Sequence, residues 1–279
     1  MVERYSLITF LSDFGWQGGY VAACEAMLVA VCPHARVLHV SHGVALGDVR
    51  DGATTLARVA PLAPPAVHLA VVDPGVGTER RPIVLQTNRG DLLVGPDNGL
   101  LEPAAGALGG ILSAWRLIPE RVRLTASLPV NGLSSTFHGR DLFAPAAALL
   151  ACGSPLAVLA EAIPSESLVS LVPALLERLP DAVRSEVVEV DRFGNVALSL
   201  DLDSVRPLAD AVAVIVEGEP DPTWTARVVR TFADLKPGEL GLLQDSWGHA
   251  GLTLNEASAA ELLGARRGSV IRLVMTTAP

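Results

Sequence analysis

Through the first half of the chain, short apolar runs that end in Gly, Asp or Pro alternate with segments whose apolar residues recur every three to four positions. A strand covered on both faces needs an unbroken apolar run, and a helix that covers it needs one apolar stripe, so this alternation dictates a sheet with crossover helices. Residues 5–11 are the first predicted strand. Val21, Cys24, Met27, Leu28 and Val31 then mark the buried face of a helix from Tyr20 that stops at Cys32-Pro33. Residues 36–41 predict a second strand and 49–59 a second helix. After Pro61, Pro64 and Pro65 comes a third strand, 67–72, ending at Asp73-Pro74-Gly75. Strands at 83–87 and 92–95 are joined by Asn88-Arg89-Gly90-Asp91, a hairpin turn. A helical stretch from Asp141 closes this domain.

Periodicity weakens between 163 and 184, and the texture then changes to short β-runs separated by turns. Residues 185–190, 196–200, 211–216, 226–230, 240–243, 252–254 and 270–274 predict seven strands at barrel- or sandwich-like spacing, with helix only at 257–263. The expected organisation is α/β overall: an N-terminal α/β domain over 1–165 with a central, mostly parallel sheet, a linker over 166–184, and a C-terminal β-barrel domain over 185–279. Leu142 to Ala160 carries no charge and is long enough to suggest a membrane span, but Pro145 and the Gly153-Ser154-Pro155 break predict two short buried helices instead.

With 279 residues, 50% hydrophobic and 18% charged, the chain can build a substantial core in each of about two domains. A net charge of -9 with no Lys/Arg cluster offers no footprint for a phosphate backbone, so nucleic acid is not an expected partner, nor is a membrane. Lysine occurs once, at Lys236 beside Pro237-Gly238. That removes a Walker-type phosphate loop, a pyridoxal Schiff base and a kinase lysine, all of which need a lysine in a motif. Cys24, Cys32 and Cys152 form no C-x-x-C pair and read as buried thiols of a reducing compartment, a cytoplasmic expectation. Glu3 and Arg4 precede an apolar run too brief for a signal-peptide core, so no export is expected.

In an open α/β sheet, ligands bind beyond the carboxyl ends of the strands. Asp13, in Ser12-Asp13-Phe14-Gly15, ends the first strand, and Asp73 ends the third. Each taken alone reads sooner as a turn or helix-cap residue than as a functional one. Gly75 and Gly77 after Asp73 permit close backbone approach, and Arg80 returns toward it able to pair with its carboxylate, although Arg80-Arg81 also reads as a solvated pair. His138 lies in the polar loop Ser134 to Asp141, where it could pass a proton near pH 7 or simply hold the loop by hydrogen bonds. The other histidines, His34, His39, His42, His68 and His249, show no metal-ligand spacing, and no metal is expected. In Asp191-Arg192-Phe193-Gly194-Asn195, residues 191, 193 and 195 share a face if the segment is extended. An acid, an aromatic ring and an amide there could hold an amine and a purine, whereas the same residues also make an ordinary turn.

Ser12-Asp13-Phe14-Gly15, Asp73-Pro74-Gly75-Val76-Gly77-Thr78, Phe137-His138-Gly139-Arg140-Asp141, Asp191 to Asn195 and Asn255 to Gly264, in this order and spacing, closely resemble the adenosine-forming S-adenosyl-L-methionine (SAM) hydrolases. These are also called SAM hydroxide adenosyltransferases and are related to the SAM-dependent fluorinase and chlorinase. The resemblance implies a seven-stranded N-terminal sheet, a C-terminal barrel, and a homotrimer with sites between one subunit's N-domain and its neighbour's C-domain. It implies hydrolysis of SAM to adenosine and methionine, with SAM as substrate and no cofactor. It places Asp73, Arg80 and His138 as the catalytic set, Asp13 on the ribose hydroxyls, Asp191 on the methionine ammonium and Asn195 on adenine, with Phe193, Ser246 and the backbone near Glu256 as further substrate contacts. Asp73 falls where the halogenases carry a tyrosine, and Gly139 where the fluorinase has a halide-contacting serine, so hydrolysis is expected over halide transfer. A SAM- or adenosine-binding sensor without turnover is the non-enzymatic alternative. Trp247 stands where the halogenases place an arginine, and Gly47 where they place a tryptophan.

Overall fold

The computed structural model describes residues 5–127, 132–202, 210–218 and 223–275; the Glu3-Arg4 pair lies outside them. The chain divides into two units, Met1–Leu171 and Val172–Pro279. In the first, seven strands form one sheet: β1 (Leu7–Ser12), β2 (Arg36–Ser41), β3 (Val67–Val71), β4 (Pro82–Thr87), β5 (Leu92–Pro96), β6 (Ile111–Leu117) and β7 (Ala160–Ile163). Their spatial order is β2-β1-β3-β5-β4-β6-β7. Pairings among β2, β1, β3 and β5 are parallel, while β4 runs against β5 and β6, and β7 against β6. Five strands therefore point one way, the expected mostly parallel sheet. The chain reverses its direction of travel across the sheet at β1, with β2 to one side and β3 to the other. That switch opens a crevice at the carboxyl ends of β1 and β3, where Asp13 and Asp73 sit.

Helices α1 (Tyr20–Val31), α2 (Val49–Val59), α3 (Glu102–Ala107), α4 (Pro119–Ala126), α5 (Ala144–Ala151) and α6 (Leu156–Leu159) cover both faces. The period-2 geometry of a strand sorts the core. Val67, Leu69 and Val71 of β3 join Leu28, Phe143 and the alanines of α5 on one face, and Ala70 and Val72 join Leu56, Leu100 and Ala104 on the other. No element is predicted between 97 and 140, yet α3, β6 and α4 lie there. In β6 burial follows no clean alternation, so its signal was weak. The charge-free stretch from Leu142 breaks as expected, α5 and α6 being parted by Gly153 at φ 88, but only α5 is a buried helix; α6 lies at the surface and buries Leu159 alone. Among the described residues no helix is long and apolar enough to cross a membrane.

The second unit holds β8 (Leu176–Arg178), β9 (Ala182–Val190), β10 (Val196–Asp201), β11 (Ala211–Val216), β12 (Trp224–Val228), β13 (Leu240–Gln244), β14 (His249–Leu254) and β15 (Val270–Met275), with α7 (Ala259–Leu263). Seven of them close a barrel in the order β10-β14-β13-β12-β11-β15-β9, sealed by β9 pairing with β10; β8 adds to β9 from outside the ring. Alternate residues such as Val212, Val214, Leu242, Leu252, Ile271 and Leu273 fill it. The segment expected to link the domains is ordered at both ends. Val169 donates its N–H to Asp97 in the first unit, and β8 pairs in the second.

Candidate active site

Three loops of the first unit meet at the crevice. The Asp73 loop folds as consecutive turns, Val76 N–H to Asp73 C=O and Thr78 N–H to Gly75 C=O, and Asn98 Nδ2 holds the carbonyl of Val72 at 2.9 Å. Gly77 adopts φ +77, and a Cβ there would lie 2.5 Å from the Ser135 carbonyl oxygen. Only glycine lets this loop press against the 134–138 loop, and that contact brings Arg80 within reach of His138. The second loop is closed by Asp141, whose buried carboxylate accepts from Ser134 N–H at 2.9 Å and from Arg140 Nε at 2.5 Å.

Arg80 is the hub. Its Nε donates to both oxygens of Asp73 at 2.9 Å, its Nη2 to Asp73 Oδ2, and the same Nη2 lies 2.9 Å from His138 Nδ1. A guanidinium has only donors, so His138 Nδ1 must accept and its proton sits on Nε2. Burial and then the charge of Arg80 push the His138 pKa below the usual histidine value, against smaller opposing effects of Asp73 and Asp141. The imidazole is therefore neutral near pH 7, with Nε2–H as its outward donor. Beneath, Arg80 stacks on Phe143 at 4.9 Å, and its side chain and that of Asp73 are 10% and 6% exposed. A buried, fork-shaped pairing of this kind fixes the carboxylate's orientation.

Asp13 is set by Gly47, whose N–H donates to Oδ2 at 2.8 Å and whose φ of +70 favours glycine. Its neighbour Ser12 accepts from Phe14 N–H at 3.3 Å, and the same hydroxyl lies 2.7 Å from His42 Nδ1, whose Nε2 in turn lies 2.8 Å from His39 Nδ1. Burial, aided by His39, lowers the His42 pKa to about 4, so the ring is neutral near pH 7. Gly47, His42 and Phe143 are contributors to the site that the sequence does not signal. A backbone N–H and a buried ring carry no motif.

In the second unit, Asp191, Asn195 and Ser246 line one depression with Phe232, Gln244, Asp245, Trp247 and Thr253. The segment 191–195 is a tight turn and not an extended face. Asp191 Oδ1 accepts the N–H groups of Phe193 and Asn195, both at 2.9 Å, and Gly194 turns at φ +82. Competition from the Asp side chain for these backbone donors defeats the alternating geometry. Phe193 is not part of the lining of the depression and is 74% exposed. Asn195 donates Nδ2 to Asp191 at 2.8 Å and accepts from Thr253 Oγ1 at 2.5 Å. Glu256 stands outside this lining, with a left-handed backbone at φ 61.

Residues 8–160 match the N-terminal domain of the SAM hydroxide adenosyltransferases, and residues 185–272 match their C-terminal domain. The chain belongs to the SAM hydroxide adenosyltransferase family. Within it, the (R)-S-adenosyl-L-methionine hydrolase of Salinispora tropica is 46% identical over 95% of this chain and 97% of its own. A fluorinase of an Actinoplanes species is 25% identical over 91% of this chain and 92% of its own. A crystal structure of an uncharacterized conserved protein from Thermotoga maritima superposes with a TM-score of 0.85 at 32% identity, covering 96% of this chain and 99% of that one. The SAM hydroxide adenosyltransferase fold thus extends over both units, and the resemblance carried by five short motifs holds over 95% of the chain.

Proposed function

We propose that this protein hydrolyses S-adenosyl-L-methionine to adenosine and L-methionine by attack of water at the ribose 5′ carbon. The observation that carries the reading is the Asp73–Arg80–His138 set, an oriented carboxylate and a neutral imidazole at the carboxyl end of β3. A sulfonium makes the 5′ carbon electrophilic and leaves as a neutral thioether, so the leaving group needs no proton. The task left to the protein is to hold water in line behind that carbon and exclude bulk solvent. Arg80 occupies one side of the Asp73 carboxylate; the remaining lone pairs accept from water, and deprotonation can follow as the C–O bond forms. Nε2–H of His138 donates to the water oxygen or to a neighbouring solvent molecule and keeps the proton network in register. Asp13 takes the ribose hydroxyls, Asp191 the methionine ammonium, Asn195 the adenine edge, and Ser246, Phe193 and the backbone at Glu256 further parts of the substrate. Of these, Phe193 and Glu256 lie outside the barrel's depression and would need a bound nucleoside, or a neighbouring subunit, to meet them.

Hydrolysis is favoured over halide transfer on two grounds. A carboxylate at Asp73 repels an anion. Gly139 has no room for the serine that the fluorinase pattern requires, since a Cβ there would lie 2.9 Å from Phe14 Cζ and 3.3 Å from a Phe137 ring carbon. Asp73, Arg80 and His138 stand in the first unit and Asp191, Asn195 and Ser246 in the second, and the family resemblance argues that a homotrimer joins the two sets across subunits. Incubation with SAM in oxygen-18 water should give labelled adenosine with unlabelled methionine by mass spectrometry. Asp73→Asn and His138→Ala should each lower kcat by about 10²–10⁴-fold; unchanged turnover in both would sink the assignment.

A further inference from the structure

Cys32, His34 and Cys152 meet at the ends of α1 and α5. Sγ of Cys32 lies 2.9 Å from Sγ of Cys152 and 3.7 Å from Nε2 of His34, and the ligand atoms of all three fall within 4.8 Å of one another. Cys32 is the residue that caps α1, and Cys152 caps α5. A 12-residue helix separates this cluster from the Asp13 loop by roughly 18 Å, so it is distinct from the candidate active site.

We propose that these three residues bind a thiophilic d¹⁰ cation, Zn²⁺ being the ion the donor set fits best. Two thiols and an imidazole supply three of the four tetrahedral ligands that zinc takes, and His34, exposed on the loop after Pro33, leaves the fourth position to water. The C-termini of α1 and α5 converge here, and the negative ends of the two helix dipoles favour a cation. The same charge works against a lone reactive thiolate, which helix N-termini and nearby cations promote. On binding, each thiol releases its proton to solvent, and the two thiolates neutralise the dication. At a Zn–S length of about 2.3 Å the sulfurs stand roughly 3.8 Å apart, so they part by about 1 Å, a shift within reach of the half-buried Cys152. Spacing along the chain predicted no metal because Cys152 lies 120 residues beyond Cys32, and only the packing of α1 on α5 joins them. The ion ties together the far ends of the two helices whose near ends carry the Asp13 and His138 loops.

The test uses the full-length protein, reduced and stripped with a chelator, then titrated with Zn²⁺ against a chromophoric competitor and separately with Co²⁺. One equivalent of zinc should bind, and Co²⁺ should show a thiolate-to-metal charge-transfer band. Cys32→Ser/Cys152→Ser should abolish both. His34→Ala, at an exposed position that leaves the fold intact, should weaken zinc binding at least about 10-fold. No stoichiometric zinc, zinc affinity unchanged in His34→Ala, or a Cys32–Cys152 disulfide in metal-free protein purified without reductant would each overturn the proposal.

Discussion

Arg80 organises the site because one planar group donates to a carboxylate and to an imidazole at once, which a lysine's point charge cannot do in the same geometry. Its charge is also one of the two causes, after burial, that lower the His138 pKa. The neutral imidazole is the form the structure uses, so kcat should fall as pH drops through that lowered value and stay level above it. Arg80→Gln removes the cation, and the acid limb of its kcat profile should move to higher pH while the maximum drops. A pH-rate series on both proteins checks this, and an unmoved limb would mean that His138 does not set it. Gly139 makes the complementary steric argument. Gly139→Ser has to displace Phe14 or Phe137 and should cost about 1–3 kcal/mol in thermal or urea unfolding, with no gain of halide incorporation.

At the level of elements, the strand tips and the loops that leave them do the positioning. The β1 tip is held by the Ser12–His42–His39 chain, and Gly15 N–H donates to the His42 carbonyl at 2.8 Å. His42 is fully buried and its pKa is lowered to about 4. The sign follows from linkage: the unfolded chain takes up this proton near pH 6.5 and the folded chain only near 4. His42 therefore leaves stability unaffected above about 6.5 and subtracts from it progressively as pH falls toward 4, by roughly 3 kcal/mol in the limit. Urea midpoints measured from pH 7.5 to 4.5 should decline more in this protein than in His42→Gln, which lacks the titrating group.

At the scale of the molecule, the proposed catalytic residues Asp73, Arg80 and His138 and the proposed substrate contacts Asp191 and Asn195 belong to different compact units. If a neighbour completes each site, the particle in solution should weigh about three times the 29.1 kDa chain by light scattering. Mixing is the sharper check. Asp73→Asn and Asp191→Ala subunits, each inactive alone, should regain turnover when unfolded and refolded together, because one partner's intact N-domain then faces the other's intact C-domain. Absence of any recovery in verified mixed particles would assign both halves of the site to one chain.

Much of this was legible in order along the chain. The apolar alternation of β1 to β5, the turn residues between the barrel strands and the Gly153-Ser154-Pro155 break are local signals, and each element formed within a few residues of where its pattern lay. Asp13 and Asp73 were legible because a strand of fixed period must expose whatever follows its tip. Hidden from it were the contacts made at long range: Gly47 on Asp13, Phe143 under Arg80, Cys152 against Cys32, and the closure of β9 on β10. Backbone periodicity is dictated by a residue and its nearest neighbours, whereas hydrogen bonds, ring stacking and charge coupling act through space, and space is assigned only when the sheet, the helices and the barrel have packed.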